Sequence, residues 1–450
     1  RYESSAASDV YKRQISESSF PCVNAHALIT MSAIKQPPAH LEAPQLRVFQ
    51  PGMSGEELLA VSLEACEGRG VSDIQFRAKR PIYVETNHGM ECLDFLGFLS
   101  DRDLLEVYKA LVLRQEESGH GFGGSSVGVT SDEKVERSLQ RFQETHVDDF
   151  SADGVVYAGG TKISGRLRIQ AHLSASGLGI TCRILSDTIP ALDVLGIDPD
   201  TSTALQDAVR RRAGLCLVTG PTGSGKSTTL ASLMDWLRQS SSKHIVTIED
   251  PVEYRYQADM EHPNYPDHRA MSPSIITQQE VGRDVASYRQ GLKDVLRKAP
   301  HIILLGEIRD RDAMDTCLEA AQTGHLVLST LHTTGAVKTM GRILEMYPHE
   351  KFGSVLSRLS EMLIFIHSQG LLRGLNGKRV LTYEFLQNSN DAVSSAIANY
   401  SSGSNALEDV IRRAGNISWD DSLRKLLQRG AIDQQTFESA RMNRNDEDEI

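Results

Sequence analysis

Residues 215–227 read LCLVTGPTGSGKS, an apolar run that breaks into a glycine-rich loop. The loop Gly220, Pro221, Thr222, Gly223, Ser224, Gly225, Lys226, Ser227 fits the pattern GxxxxGK[ST]. Glycines let successive amides turn inward as an anion nest, and a helix starting at Lys226 adds the positive end of its dipole. Lys226 is expected to reach the β- and γ-phosphates of ATP and Ser227 to ligate Mg2+, with Thr228 closing the nucleotide-binding segment. The pattern has meaning only between a strand and a helix. Leu215–Thr219 reads as the strand and Lys226–Arg238 as the helix.

Downstream, the texture keeps alternating. His244–Ile248, Ile302–Leu305 and Leu326–Thr330 read as strands; Val285–Lys298, Asp312–Gln322 and Gly335–Met346 read as helices. Such alternation implies crossover units on a parallel sheet. In an open parallel sheet, ligands bind beyond the carboxyl ends of the strands. Two acidic stretches fall there. Glu249, Asp250 and Glu253 follow His244–Ile248, and Glu307 follows Ile302–Leu305. A carboxylate so placed can hold magnesium or orient an attacking water, so Glu249 and Glu307 join Ser227 as candidate metal groups. His325 opens the next strand and His332 closes it. Both are expected to sense the γ-phosphate.

The chain as a whole has ordinary soluble-globular composition, 40% hydrophobic, 6% aromatic and 24% charged, which excludes a disordered chain or a collagen. Its 59 acidic against 48 basic residues give a formal net charge of −11, a poor balance for coating a duplex. No apolar stretch reaches membrane-spanning length. The six cysteines are scattered without a CxxC pair and are expected to be buried thiols, with no zinc site. Ile74–Phe76 and Ile82–Val84 alternate like strands at the edge of a small sheet; Gly165–Ala171 and Gly179–Leu185 read as paired antiparallel strands. Gly119–Thr130 and Gln257–Thr277 read as long loops, and Pro190–Asp207 as a linker between domains. Asp9–Gln14 (DVYKRQ) looks like a translated transposon end from a sequencing library. Residues 1–30 are therefore expected to pack on nothing, with Met31 as the natural start.

These stretches together resemble the secretion and type IV pilus ATPases, a P-loop superfamily of pilus-retraction motors, type II secretion motors and type IV secretion ATPases. The likeness covers most of residues 70–385. Gly220–Ser227 is similar to the family's Walker A loop and Ile248–Glu253 to its aspartate box. Leu304–Asp310 is similar to its atypical Walker B and Thr323–Thr333 to its histidine box, while Gln278–Asp284 (QQEVGRD) is similar to its QxEV segment.

The resemblance implies an α/β fold: a RecA-like P-loop ATPase domain, a smaller α+β (PAS-like) N-terminal domain and a helical C-terminal tail. The expected bounds are 1–30 tail, 31–52 lead-in, 53–195 N-terminal domain, 196–390 ATPase domain, 391–442 helical region and 443–450 acidic tail. It also implies that Glu307 activates water, that the aspartate-box acids support magnesium and that the histidines couple nucleotide state to movement. Arg166, Arg168 and Arg183 are then candidates to neutralise phosphate charge on a neighbouring subunit. Arg166 and Arg168, two apart, share one strand face.

The implied machine is a homo-hexamer at the inner face of the bacterial cytoplasmic membrane, acting on a platform protein of a pilus or secretion apparatus and not on nucleic acid. The tetracysteine zinc module of many relatives is absent, and Ser418–Asp421 (SWDD) is similar to a tail of type IVB secretion ATPases. Retraction and secretion both stay open. A DNA-handling motor using Arg210–Arg212 is the alternative from another class, opposed by the acidic balance and the histidine box. A degenerate P-loop scaffold is disfavoured by intact Lys226, Ser227 and Glu307.

Overall fold

The structure, a computed structural model, describes residues 48–66, 69–86, 89–114, 131–158, 161–185, 188–262, 265–401, 405–413 and 415–446. The readings of residues 1–30, of the lead-in before residue 48, of Cys22 and of the whole Gly119–Thr130 loop lie outside the described residues. Every element below falls in the compact unit Arg47–Ile450.

The first half is an antiparallel sheet with helices on one face. Its strands are β1 (Asp73–Arg77), β2 (Ile82–Thr86), β3 (Gly89–Leu93), β4 (Val147–Ala158), β5 (Thr161–Ser174) and β6 (Gly177–Leu185), in the order β3-β2-β1-β6-β5-β4. Helices α1 (Gly55–Ala65) and α2 (Asp101–Leu113) each begin with a reciprocal cap, Ser54 with Glu57 and Ser100 with Asp103; α3 (Ser131–Thr145) follows. Alternate strand residues Ile74, Phe76, Leu167, Ile169, Ala171, Ile180 and Cys182 are buried in one core with Leu59, Leu63, Val107 and Tyr108 of the helices. Burying each large apolar side chain contributes roughly 1.5–3 kcal/mol. The opposite parity of β5 carries Arg166 and Arg168 on the other face. β3 lies outside β2, and Cys92, on its outward parity, is exposed. This corrects the expectation of buried thiols for that residue; Cys66, Cys182, Cys216 and Cys317 are buried.

The second half is a seven-stranded sheet wrapped by helices. Its elements are α4 (Pro199–Val209), β7 (Gly214–Thr219), α5 (Lys226–Ser240), β8 (His244–Glu249), β9 (Asp259–His262), β10 (Tyr265–Met271), β11 (Ile275–Glu280), α6 (Tyr288–Val295), β12 (Ile302–Leu305), α7 (Arg311–Gln322), β13 (Leu326–Leu331), α8 (Ala336–Glu345), α9 (Phe352–Met362), β14 (Leu363–Arg373) and β15 (Arg379–Gln387). The order is β11-β8-β12-β13-β7-β14-β15, parallel throughout except for the β14–β15 pair. β7, β12 and β13 are buried along their whole length, as strands covered on both faces must be. The fold has the parallel α/β crossovers that the alternation of strands and helices implied, and matches the RecA-like domain that the resemblance implied.

Helices α10 (Asp391–Ala398), α11 (Ala406–Ile411), α12 (Trp419–Gln428) and α13 (Gln434–Asp446) complete the chain. Among the described residues no helix is long and apolar enough to cross a membrane.

Three local expectations need correction. Pro190–Asp207 is no open linker: a 3-10 turn at Leu192–Leu195 and α4 bury Leu192, Ile197 and Leu205 in the core of the second half. Asp198 at the N-cap and Pro199 at the first helical position are the start signal for α4. Gln257–Thr277 is not a plain loop, because β9 and β10 pair as an antiparallel hairpin and β11 begins at Ile275. The helix expected from Val285 starts at Tyr288, where the Ser287 hydroxyl accepts the Gln290 N–H, and tightens to a 3-10 turn at Leu296–Lys298.

Candidate functional site

Four neighbouring parallel strands, β8, β12, β13 and β7, end along one edge of the sheet and deliver Glu249, Glu307, His332 and the phosphate loop to it. The loop leaves β7 through Gly220, whose φ of +145° and closeness to β14 exclude a side chain: a Cβ there would lie 2.2 Å from the Gln369 carbonyl oxygen. Gly225 caps α5 in the left-handed conformation. Lys226 folds back to donate to the carbonyls of Gly220 (2.7 Å) and Pro221 (2.9 Å). Burial lowers its pKa, against the pull of Glu307 and Glu253. Gln369 braces the loop from β14, accepting from Thr229 Oγ1 (2.8 Å) and donating to the Ser224 carbonyl (2.6 Å).

Glu307 has a partner on each oxygen. His332 Nε2 stands 3.3 Å from Oε1, and Arg309 Nε donates to Oε2 at 3.0 Å. His332 Nδ1 lies 3.4 Å from Thr222 Oγ1, so one imidazole links the acidic strand end to the phosphate loop. Arg309 also reaches Asp250 (3.6 Å) and lies over the Tyr288 ring. Its pKa is raised, first by the hydrogen bond to Glu307.

Glu249 sits deeper. Burial pushes its carboxyl up to about 7, although the Thr247 hydroxyl donates to it at 2.7 Å. With Ser227, Tyr254 and Thr330 it lines a cavity of about 30 Å³. The Tyr254 hydroxyl lies 2.9 Å from Thr228 Oγ1 and ties the acidic loop to the start of α5.

Among the described residues no group of three or more His, Cys, Asp or Glu side chains is arranged to hold a metal ion. Magnesium needs no such cage, since it is commonly bound by one or two protein oxygens together with substrate phosphates and water. Ser227 and Glu249, which line one small cavity and carry a hydroxyl and a carboxyl, fit that requirement.

Two groups of expected residues stand apart. His325 is at the amino end of β13, about 20 Å by strand rise from His332, and its Nδ1 contacts the Ala320 carbonyl at 3.1 Å. Of the three arginines, Arg168 pairs with Asp149 (3.3 Å) and Arg183 with Asp73 (2.9 Å). Arg166 donates to the carbonyls of Val252 (2.8 Å) and Glu253 (3.3 Å) in its own chain. Gln369 and Tyr254, which the sequence did not single out, also shape the site, and so do Gln278 and Glu280 on β11, the first and third residues of the QxEV-like segment, for which the sequence alone implied no task. Gln278 and Glu280 are two apart on a strand, which puts both on the face turned to the acidic loop.

A phosphate loop and two acidic strand ends on the carboxyl edge of a parallel sheet define a P-loop nucleotide-binding core. The chain belongs to the type II/IV secretion system protein family, whose pattern matches residues 160–430. It is 36% identical over 254 residues to the type IV pilus retraction ATPase PilT of Pseudomonas aeruginosa, covering 56% of this chain and 66% of that one. The chain thus spans slightly under two thirds of that relative's length. The crystal structure of the pilus retraction motor PilT with bound ADP superposes with a TM-score of 0.66 at 31% identity, over 86% of this chain and 97% of that one. The ATPase DotB of Legionella pneumophila shares the fold, with a TM-score of 0.69 at 21% identity over 88% and 98% of the two chains.

Proposed function

We propose that this protein is a magnesium-dependent ATPase, working as a ring motor that powers type IV pilus retraction or a related secretion machine. The observation that carries the reading is the convergence of Lys226, Ser227, Glu249 and Glu307 at the ends of adjacent parallel strands. Likeness to the retraction ATPase of P. aeruginosa and to its ADP-bound counterpart supports the same direction.

The chemistry follows from charge. The nest of amides from Gly220 to Ser227, with Lys226, binds the phosphates. Ser227 and Glu249 are the groups to hold Mg2+, which when bound neutralises charge on the β- and γ-phosphates. Glu307 is the group to orient the attacking water and take its proton. His332 and Arg309, on its two oxygens, fix its direction. Asp250 and Glu253 add negative potential around the metal side. Because His332 spans Glu307 and Thr222, it is placed to register whether the γ-phosphate is there.

Arg168 and Arg183 lie on the outer face of the N-terminal sheet and stand as candidates to reach a neighbour's nucleotide. The proposed assembly is a homo-hexamer in the cytoplasm, docked on a platform protein at the inner membrane face. His325, far from the phosphate loop, fits a contact between moving parts better than a ligand.

The test is Mg2+-dependent ATP hydrolysis by the full chain. Lys226→Ala should abolish nucleotide binding. Glu307→Gln should keep ATP bound but lower turnover by roughly 100-fold or more, the scale of general-base assistance. Unchanged turnover in Glu307→Gln would sink its assigned role. DNA-stimulated hydrolysis would favour a nucleic-acid motor instead.

A further inference from the structure

The acidic loop between β8 and β9 is held from two sides by residues of different layers. From the ATPase sheet, the Gln278 side chain accepts the Tyr256 N–H (3.1 Å) and donates to the Tyr254 carbonyl (2.8 Å). Two residues along β11, Glu280 Oε2 accepts the Val252 N–H at 3.1 Å. From the N-terminal sheet comes Arg166, 2% exposed, on the carbonyls of Val252 and Glu253. Val252 is therefore gripped at both of its polar backbone atoms, the N–H by one domain and the C=O by the other. Both grips set an acidic or basic side chain on a backbone group.

The loop between these grips carries the side chains that face the phosphate site. Glu249 precedes it, Glu253 pulls against the burial that lowers the Lys226 pKa, and Tyr254 contacts Thr228. A shift of the N-terminal sheet pulls on the Val252 and Glu253 carbonyls first, before it can touch a phosphate.

We infer that Arg166 and Glu280 are paired positioning residues that set the acidic loop, so that the seating of the N-terminal domain determines where Glu249 and Glu253 stand relative to Lys226. This rests on the ATPase reading for its consequence, though not for the grip itself. It gives Arg166 a task within its own chain, distinct from neutralising phosphate on a neighbour.

Hydrogen–deuterium exchange on the full chain without nucleotide tests the grip directly. Arg166→Ala and Glu280→Ala should each speed exchange in residues 250–256 at least tenfold, leaving the phosphate loop and α5 unchanged. Glu280→Gln, whose amide oxygen still accepts, should keep most of the protection, and Arg166→Lys should keep part of it. In hydrolysis assays, both alanine variants should lower kcat tenfold or more and raise the Mg2+ needed for half-maximal rate. KM for ATP and affinity for ADP should stay within twofold.

Mixing Arg166→Ala subunits with Lys226→Ala subunits should restore nothing, because the grip and the phosphate loop it serves lie in one chain. Rescue in that mixture, or unchanged exchange in 250–256, would overturn the inference. Faster exchange with unaltered kcat and Mg2+ dependence would remove its functional half. A wild-type chain that hydrolyses no ATP would fail the ATPase reading alone, since the exchange result stands without it. Should Glu280→Ala not fold, the Arg166 pair carries the test.

Discussion

The phosphate loop and the acidic loop border the same edge of the sheet but are held in opposite ways. The phosphate loop is largely self-supporting: Lys226 bonds back to Gly220 and Pro221, Gln369 braces the backbone at Ser224 from outside, and His332 reaches only the Thr222 side chain. The backbone of the acidic loop from Val252 to Tyr256 is held by side chains from two distant segments, Gln278 and Glu280 on β11 and Arg166 on β5. Self-support suits a cradle that must keep its shape whatever it holds. External support suits a part whose position is to be set by something else. One site thus combines a fixed half and a governed half.

The largest effect that would break this contrast is expected in the fixed half. Gly220→Val puts a branched side chain where even a Cβ would lie 2.2 Å from the Gln369 oxygen. Affinity for ADP should fall at least ~100-fold, with a stability loss of about 3 kcal/mol or more, a size reserved for clashes of this kind. Isothermal titration and thermal melts check both; ADP binding within a few-fold of wild type would show the cradle to be pliable.

In the governed half, Gln278→Ala should lower kcat roughly tenfold and cost about 1–2 kcal/mol, with ADP binding kept. A loss of binding matching that of Gly220→Val would erase the distinction.

The next effect is in pH. The Glu249 carboxyl, with its folded pKa raised to about 7 by burial, keeps a proton that the unfolded chain has released. Its contribution to stability therefore falls as pH rises from the ordinary carboxylate range to about 7 and is flat above that. Nucleotide-free Glu249→Gln should gain in melting temperature over wild type as pH rises through that window. Mg2+ requirement in hydrolysis should rise, by at most tenfold per unit, as pH drops from 7 to 6. A pH-independent difference in melting temperature would remove the raised pKa from the account.

Smallest of all should be Arg183→Ala. The guanidinium of its ion pair with Asp73 is largely exposed, so stability should change by less than about 1 kcal/mol by denaturant titration.

The two halves also differ in how far they could be read from the chain. The phosphate loop was legible because its eight residues are consecutive and their glycines and lysine state the chemistry outright. The strand ends bearing Glu249, Glu307 and His332 followed from the parallel sheet, since such strands all end on one side. The supports of the acidic loop were legible only as a motif, Gln278 and Glu280 in the QxEV-like segment, and not in what they hold. Gln278 lies 24 residues from the Tyr254 it bonds and Arg166 lies 86 from Val252, and only the β11–β8 pairing and the packing of the two sheets bring them together. Arg166 and Arg168 were rightly put on one strand face, but a face does not say what lies across it.

The tract 190–207 misled for another reason. It reads as a linker, whereas Asp198 before Pro199 is equally a helix start, and Tyr383 of β15 and Lys425 of α12 both bond to Asp198 to hold it in place.

Gly370 follows Gln369 on β14, and the ring of Trp419 from α12 lies against it; a Cβ there would come within 2.9 Å of the indole. The chain has two tryptophans, and the other, Trp236, lies on α5 under the guanidinium of Arg210. Replacing Trp236 with phenylalanine leaves a single emitter one residue from the brace of the phosphate loop. The molecule thereby carries its own optical gauge: events at the cradle can be followed in stopped-flow fluorescence, in real time and without a dye, from the opposite side of the sheet edge.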